Sequence, residues 1–242
     1  MTTKIKKQTK KRPVRSGKAK SSKSKLDHIH TAITGDYYDE SIANHPIKRV
    51  YHQARFRRIG RMIDGIQGKL LDIGCAGGTF TNELSKCCDA QITAVDISPD
   101  AVAYAKTKYP HIRFQVYDAD DSHLPFADNS FDTVTILETL EHVLNPVEVL
   151  QEMKRIVKKD GQVIVLVPAE NWYFRLGWAV WTKLPGNLGG GVWDDSHVQR
   201  FDGYKLRNLM EFIGYEILEE TWFNCGLLLA IKARPKCPNI NY

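Results

Sequence analysis

The sequence lacks any apolar run of the roughly 18 residues that a membrane-spanning helix needs. Its N-terminus has no apolar stretch of the kind that a secretory signal peptide carries, although its basic, acid-free character leaves an organelle transit peptide open. The 5 cysteines are irregularly spaced and form no C-x-x-C pair, which disfavours both a disulfide framework and a cysteine zinc site. We therefore expect a reducing compartment and a cytoplasmic protein, with a peripheral membrane location left open.

Acidic residues are absent from the first 25 positions, which hold 11 of the 34 Lys and Arg. Residues 26–242 then carry 23 basic residues against 28 acidic ones, a net charge of −5. We expect a disordered basic tail over 1–25, because it has too few apolar residues to offset the entropy of folding, and a single domain over 26–242. The tail is either a solvated arm or a segment that attracts anionic lipid or nucleic acid.

Short apolar segments alternate with helical patterns along most of the chain. The predicted strands are 69–74, 91–96, 111–117, 131–137, 162–167, 215–222 and 225–233, and the predicted helices are 46–63, 79–88, 99–109, 146–159 and 204–213. This alternation is typical of a parallel sheet with helices on both faces. The last two strands are joined by a tight turn at Phe223–Asn224 and must therefore be antiparallel.

A glycine-rich turn follows the first predicted strand. Gly74, Gly77 and Gly78 leave the backbone open to a ligand, and the next helix offers free N–H groups to an anionic group. The dinucleotide pattern G-x-G-x-x-G is broken by Ala76 and Thr79, which disfavours a dehydrogenase.

Carboxylates end the next two strands. Asp96 lies where a carboxylate can accept both hydroxyls of a ribose, although Asp96 or Ser98 could also cap the helix at Pro99. The acidic loop 118–132 could accept an adenine amino group, or could simply be solvated. Together with the glycine turn, Asp96 predicts a nucleoside that lies across the first two strand ends.

Five segments together resemble the class I S-adenosylmethionine-dependent methyltransferases. They are LLDIGCAGG (70–78), AVDIS (94–98), DDSHLPFADNSFD (120–132), LETLEHVLNP (137–146) and VKKDGQVIVLVP (157–168). The resemblance implies a three-layer α/β, Rossmann-like methyltransferase fold with S-adenosylmethionine as its cofactor. It also implies a mostly parallel seven-stranded sheet of order 3-2-1-4-5-7-6 that ends in an antiparallel hairpin.

The resemblance also implies roles for individual residues. The glycine turn would approach the methionine moiety, Asp96 would hold the ribose, and Asp120 would meet the adenine amino group. The implied cofactor-binding set is Asp72, Gly74, Cys75, Ala76, Gly77, Asp96, Ile97, Asp120, Asp121 and Leu137. The family most often has Gly at position 76, and we expect the small Ala76 to be tolerated.

Within the family, LETLEHVLNP and an insertion after the fifth strand are most similar to the ubiquinone-biosynthesis O-methyltransferases. In those enzymes the pattern E-x-x-E-H is associated with a divalent metal, which implies Glu138, Glu141 and His142 as ligands of an ion such as magnesium. Magnesium prefers oxygen ligands, so a structural or substrate-facing role for Glu141 and His142 stays open.

Methyl transfer to a hydroxyl oxygen requires a group that takes the acceptor's proton. His142 is the first candidate because histidine titrates near neutral pH, and Glu141 lies beside it in the sequence. His197 precedes the last predicted helix and is the second candidate, although a loop histidine is more often simply exposed. The candidate catalytic residues are thus His142, Glu141 and His197.

An aromatic insertion at about 169–200 interrupts the alternation and contains four of the 5 Trp residues. Drawn as a helix, Phe174, Trp178 and Trp181 share one stripe, with Arg175 and Lys183 off it. Such a segment is typical of a lid over an acceptor pocket or of a helix that lies on an anionic membrane. Both interpretations hold if the acceptor is a lipid.

The sequence therefore predicts an enzyme that transfers a methyl group from S-adenosylmethionine to a small or lipid-like acceptor, at a hydroxyl oxygen. The expected partners are that acceptor and, peripherally, an anionic membrane. An RNA or protein methyltransferase docked by the tail is disfavoured by the acidic body, although nucleic-acid contact through the tail stays open. A non-catalytic binding module is disfavoured by the intact Asp72, Gly74, Asp96 and Asp120.

Overall fold

A computed structural model describes residues 36–44, 46–121, 123–169 and 198–236. The predictions for the basic tail, for the aromatic stripe and for His197 fall outside these described residues.

The described residues form helices on both sides of one seven-stranded sheet. The helices are α1 (Tyr37–Asn44), α2 (Pro46–Ile63), α3 (Thr79–Ser85), α4 (Pro99–Lys108), α5 (Pro146–Ile156) and α6 (Gly203–Ile213). The strands are β1 (Lys69–Ile73), β2 (Gln91–Asp96), β3 (Arg113–Val116), β4 (Phe131–Leu137), β5 (Val157–Pro168), β6 (Tyr215–Phe223) and β7 (Leu228–Pro235). None of the described helices has both the length and the hydropathy that crossing a bilayer would require.

The strand order β3-β2-β1-β4-β5-β7-β6 confirms the predicted topology. Strand β1 lies between β2 and β4 and is parallel to both, whereas β7 is antiparallel to β5 and β6. Because the carboxyl ends of parallel strands meet at the same edge of a sheet, the segments that follow β1 to β5 share one edge.

Two apolar clusters fill the space between the sheet and its two helical layers. On one face, Leu150 and Met153 of α5 pack with Leu206 and Met210 of α6. On the other face the cluster draws its buried side chains from α2, α3 and α4, among them Ile59, Leu84 and Val102. The expectation of helices on both faces of the sheet is therefore confirmed.

The helix predicted over 146–159 ends earlier, at Ile156. The carbonyls of Arg155 and Ile156 accept the N–H groups of Asn129 and Ser130 at 3.0 and 2.8 Å, so they are not used for another helical turn. Val157 instead pairs with Phe131, and β5 begins there rather than at residue 162.

The predicted turn between the last two strands is too short. It includes Asn224, Cys225 and Gly226, which all have positive φ angles of 50°, 57° and 75°. Hydrogen bonds from Gly226 N–H to the Phe223 carbonyl and from Leu227 N–H to the Asn224 carbonyl close this turn. The strands accordingly end at Phe223 and begin again at Leu228.

Helix α1 was not predicted, and tertiary contacts hold it in place. The Asp39 carboxylate accepts hydrogen bonds from Thr79 at 3.1 Å and from Tyr104 at 2.8 Å, and it also pairs with Lys108. These partners lower the pKa of Asp39 against the opposing effect of burial. Because this short helix depends on partners in α3 and α4, its own residues carry little signal.

Candidate active site

The glycine turn folds back on the end of β2. The N–H groups of Gly74 and Cys75 both donate to the Val95 carbonyl, at 2.8 and 3.0 Å. Gly74 has a φ of 79°, and a Cβ atom there would overlap the side chain of Thr139. Glycine is therefore required at position 74, where the turn after β1 touches the loop after β4.

Asp96 organises two turns at once. Its Oδ2 accepts the Ala76 N–H at 2.7 Å and its Oδ1 accepts the Ser98 N–H at 2.9 Å. Ser98, not Asp96, caps α4, because its hydroxyl accepts the Ala101 N–H. The carboxylate thus joins the turn after β1 to the turn before α4. Ile97, between Asp96 and Ser98, is half-buried.

Two of the expected cofactor residues are buried beneath this edge. Both oxygens of Asp72 accept threonine hydroxyls, from Thr81 at 2.6 Å and from Thr135 at 2.7 Å. Burial raises the pKa of Asp72 to about 6, with those two hydroxyl bonds opposing the rise. Burial also raises the pKa of the Cys75 thiol. Asp72 and Cys75 thus support the turn from inside the fold, and Gly77 is buried within it.

The structure gives Asp120 partners that the sequence did not suggest. Its carboxylate accepts the Leu144 N–H at 2.9 Å and the Asn145 N–H at 3.2 Å, both from the loop after β4. Asp121 is exposed. Asp118 lies in the acidic loop 118–132 but was not named among the cofactor-binding residues. Tyr117 N–H donates to the Asp96 carbonyl at 2.9 Å, and Asp118 is the next residue. Its position directly after β3 was the signal for it.

Glu138 begins the loop after β4 in a left-handed conformation, with a φ of 53°. Its carboxylate forms a buried ion pair with Arg55 of α2 and accepts a hydrogen bond from Tyr51 at 3.4 Å. The Arg55 guanidinium also lies 5.4 Å from the ring centres of Tyr51 and Phe80. Sequence reasoning missed Arg55, because one arginine in a basic helix gives no local signal. Leu137, just before Glu138, is buried in the core.

The metal site expected from E-x-x-E-H does not fit this arrangement. Glu138 faces Arg55, whose positive charge takes the place that a cation would need. Among the residues that the structure describes, no group of three or more His, Cys, Asp or Glu is placed to hold a metal ion. As described, Glu138, Glu141 and His142 therefore do not fit a metal ligand set.

Glu141 and His142 remain adjacent and differ in accessibility. The Glu141 side chain is 3% exposed and that of His142 is 23% exposed, with 3.9 Å between Glu141 Oε1 and His142 Nε2. The Glu141 carbonyl accepts the N–H groups of both Val198 and Gln199 at 2.9 Å. Ala169 and Phe201 pair in a β-bridge. The described residues on either side of 170–197 therefore lie next to each other. The third candidate, His197, lies outside the described residues.

Residues 71–165, from β1 into β5, match the model of a family described as a methyltransferase domain. This range includes the glycine turn, Asp96, Asp118 and the loop with Glu141 and His142. Its strands β1 to β4 follow the sheet order given above. The motifs in this range and the sheet order are those of the class I S-adenosylmethionine-dependent methyltransferase fold. The chain is thus an S-adenosylmethionine-dependent methyltransferase, as its motifs predicted.

Relatives of this methyltransferase carry two kinds of name. A demethylmenaquinone methyltransferase from Bacillus cereus (strain ATCC 10987 / NRS 248) is 29% identical over 224 residues, which cover 84% of this chain and 94% of that protein. The O-methyltransferase cnsE from Penicillium expansum is 32% identical over 116 residues, 45% of this chain and 41% of that protein.

A solved structure shares the fold of this methyltransferase. Magnesium protoporphyrin IX methyltransferase (ChlM) from Synechocystis PCC 6803, with bound SAH, superposes with a TM-score of 0.67 at 16% identity. The match covers 88% of this chain and 100% of that one.

Proposed function

We propose that this methyltransferase acts on a small, lipid-like aromatic acceptor and transfers the methyl group to a hydroxyl oxygen. The observation that carries the proposal is the loop after β4. It presents the accessible His142 beside the buried Glu141, between the glycine turn and the point where the chain returns at Val198. The relative named as an O-methyltransferase favours transfer to oxygen, and the relative named for demethylmenaquinone favours a lipid-like ring as the acceptor.

The chain's own residues offer a place for each part of the cofactor. Asp96 would accept the ribose hydroxyls, and Asp118, which follows β3, would face the adenine. The glycine turn after β1 would approach the methionine moiety. When bound, S-adenosylmethionine supplies an electrophilic methyl group.

His142 would act as the general base for the acceptor. Its imidazole takes the hydroxyl proton while the acceptor oxygen forms its bond to the methyl carbon and the carbon–sulfur bond breaks. The imidazolium that forms lies near the Glu141 carboxylate, whose negative charge stabilises it in this buried setting. The proton then passes from the imidazolium to water.

The test uses the full chain with S-adenosylmethionine and 1,4-naphthohydroquinone under anaerobic conditions. A methoxy signal in the NMR spectrum of the product is the expected result. His142→Ala should lower kcat by about 10²–10⁴-fold, the usual contribution of a general base. The matched control is His111→Ala, because His111 is exposed before β3, and this change should leave kcat within twofold. A product methylated at a ring carbon would overturn O-methylation. An unchanged kcat in His142→Ala would overturn the role of His142 as the general base.

The lipid-like character of the acceptor rests on the aromatic stretch 171–184, which lies outside the described residues. We propose that this stretch covers the acceptor and meets an anionic membrane, supported by the adjacency of Ala169 and Phe201 at the active-site edge. Binding to anionic vesicles should weaken with salt, and should weaken again when Trp178 and Trp181 become Ala, with cofactor affinity unchanged. If vesicle binding survives those substitutions while turnover is lost, the stretch is a lid and the membrane role is wrong.

A further inference from the structure

One carboxylate joins the loop after β3 to the loop after β4. Asp120 Oδ1 accepts the N–H groups of Leu144 and Asn145, at 2.9 and 3.2 Å, and Oδ2 also lies 3.1 Å from Leu144 N. The Asp120 N–H in turn donates to Asp118 Oδ1 at 2.9 Å. Two acidic residues of one loop are therefore hydrogen-bonded one after the other. Asp118 is the one nearer to Asp96, and Asp120 binds the loop after β4.

The loop after β4 continues this connection to the segment that begins at Val198. The Leu144 carbonyl accepts the Gln199 side-chain amide at 3.4 Å. The Glu141 carbonyl accepts the N–H groups of Val198 and Gln199. Asp118, Asp120, Leu144 and Gln199 thus form a hydrogen-bonded path from the strand ends near Asp96 to the point where the chain rejoins the fold.

We propose that Asp120 is a positioning residue that couples cofactor binding to the placement of Glu141, His142 and the Val198–Gln199 segment. This inference rests on the proposed function only in placing the cofactor at Asp96 and Asp118. It gives Asp120 a role other than the adenine contact that its motif implied. A ligand that holds the Asp118 loop restrains Asp120, and Asp120 holds the loop after β4 through two charge-assisted bonds.

The carboxylate is suited to this task because it accepts from two successive N–H groups just before α5. These groups precede Pro146, the first residue of α5, and Asn145 caps the helix through its side chain. Without Asp120, both N–H groups lose a charged acceptor, and the loop that starts at the strained Glu138 loses its fixed end. An Asn at position 120 keeps one acceptor oxygen and should retain part of the coupling.

The experiment is amide hydrogen exchange on the full chain, with and without SAH, and it needs no methyl acceptor. In the unsubstituted chain, SAH should slow exchange in the peptide that contains Val198 and Gln199 by at least threefold. In Asp120→Ala, SAH should still bind within about threefold of the original affinity, but exchange at Val198 and Gln199 should no longer respond to it. Asp120→Asn should give an intermediate response. The control is Asp160→Ala, an exposed acid in β5, which should behave as the unsubstituted chain.

Two results would overturn the proposal. If SAH binds the unsubstituted chain and leaves exchange at Val198 and Gln199 unchanged, the coupling does not exist, whereas the methyltransferase function is untouched. If folded Asp120→Ala loses SAH binding by more than tenfold, Asp120 contacts the cofactor directly. Should Asp120→Ala fail to fold by circular dichroism, the unsubstituted chain and Asp120→Asn decide the question by the same two criteria.

Discussion

The backbone N–H of Ala76 donates to Oδ2 of Asp96 across 2.7 Å, so the turn after β1 is held by the residue that ends β2. Ala76 has a φ of 45°, a region that a non-glycine residue adopts at a cost of about 1–3 kcal/mol. The charge-assisted bond to Asp96 offsets that cost. The shape of the glycine turn and the proposed ribose site therefore depend on one carboxylate.

Asp96→Ala should weaken cofactor binding at least tenfold and should also lower the melting temperature. The carboxylate would contribute up to two bonds to the ribose, each worth roughly 1.5–3 kcal/mol, and its loss leaves the N–H groups of Ala76 and Ser98 without their acceptor. The two bonds from Ala76 and Ser98 are the reason to expect a lower melting temperature. Calorimetric titration of the folded variant with SAH measures the first effect. A change in affinity below threefold would mean that Asp96 does not hold the ribose.

Arg55→Met should destabilise the chain by about 3–5 kcal/mol, because it leaves the Glu138 carboxylate buried without its ionic partner. The double variant Arg55→Met/Glu138→Gln should recover part of that loss. Urea unfolding of the four proteins in the cycle gives the coupling energy. For comparison, Arg207→Met breaks surface pairs with Glu211 and Glu220 and should cost below about 1 kcal/mol. Equal losses at the two sites would contradict the buried pair.

Asp72 should make the chain less stable as the pH rises from about 4 to about 6. Its pKa in the folded chain is raised from 3.8 to about 6, so in this window the folded chain retains a proton that the unfolded chain has lost. The free energy of unfolding should therefore fall across the window, by up to about 3 kcal/mol, and stay level above it. Asp72→Asn cannot titrate, and the difference between the two unfolding curves isolates the effect. A pH-independent difference would show that Asp72 is ionised throughout.

Removal of residues 1–25 should leave SAH affinity, the melting temperature and turnover on a soluble acceptor unchanged. The reason is the composition of this tail, which has 11 basic residues, no acidic residue and few apolar side chains that could pack on the body. A chain that starts at Leu26 tests this by calorimetry and thermal unfolding. A clear drop in any of the three would make the tail part of the working enzyme.

The strands and the position of the glycine turn could be predicted because both depend on local patterns, whereas the order of the sheet followed from the family resemblance. A continuous apolar run such as VIVLV in β5 marks a strand that is buried on both faces, and Gly74 marks a turn that needs a positive φ. The position of Asp96 could be predicted because it is the last residue of its strand. Class membership rested on the spacing of these local features, and the family match bears it out.

The partners of the acidic side chains were decided by the tertiary structure alone. Tyr51, which with Arg55 binds Glu138, is 87 positions away from it, and Asp120 finds Leu144 at a distance of 24 positions. Such pairings depend on how α2 and the two loops pack on the sheet, and no residue periodicity records that packing. This is why E-x-x-E-H suggested a metal site where the fold instead places an arginine, and why the short α1 depends on contacts made by Asp39. The sequence by itself determined which strand ends carry the glycine turn and the acidic residues, because strand ends are local, whereas long-range packing decided which partners each carboxylate finds.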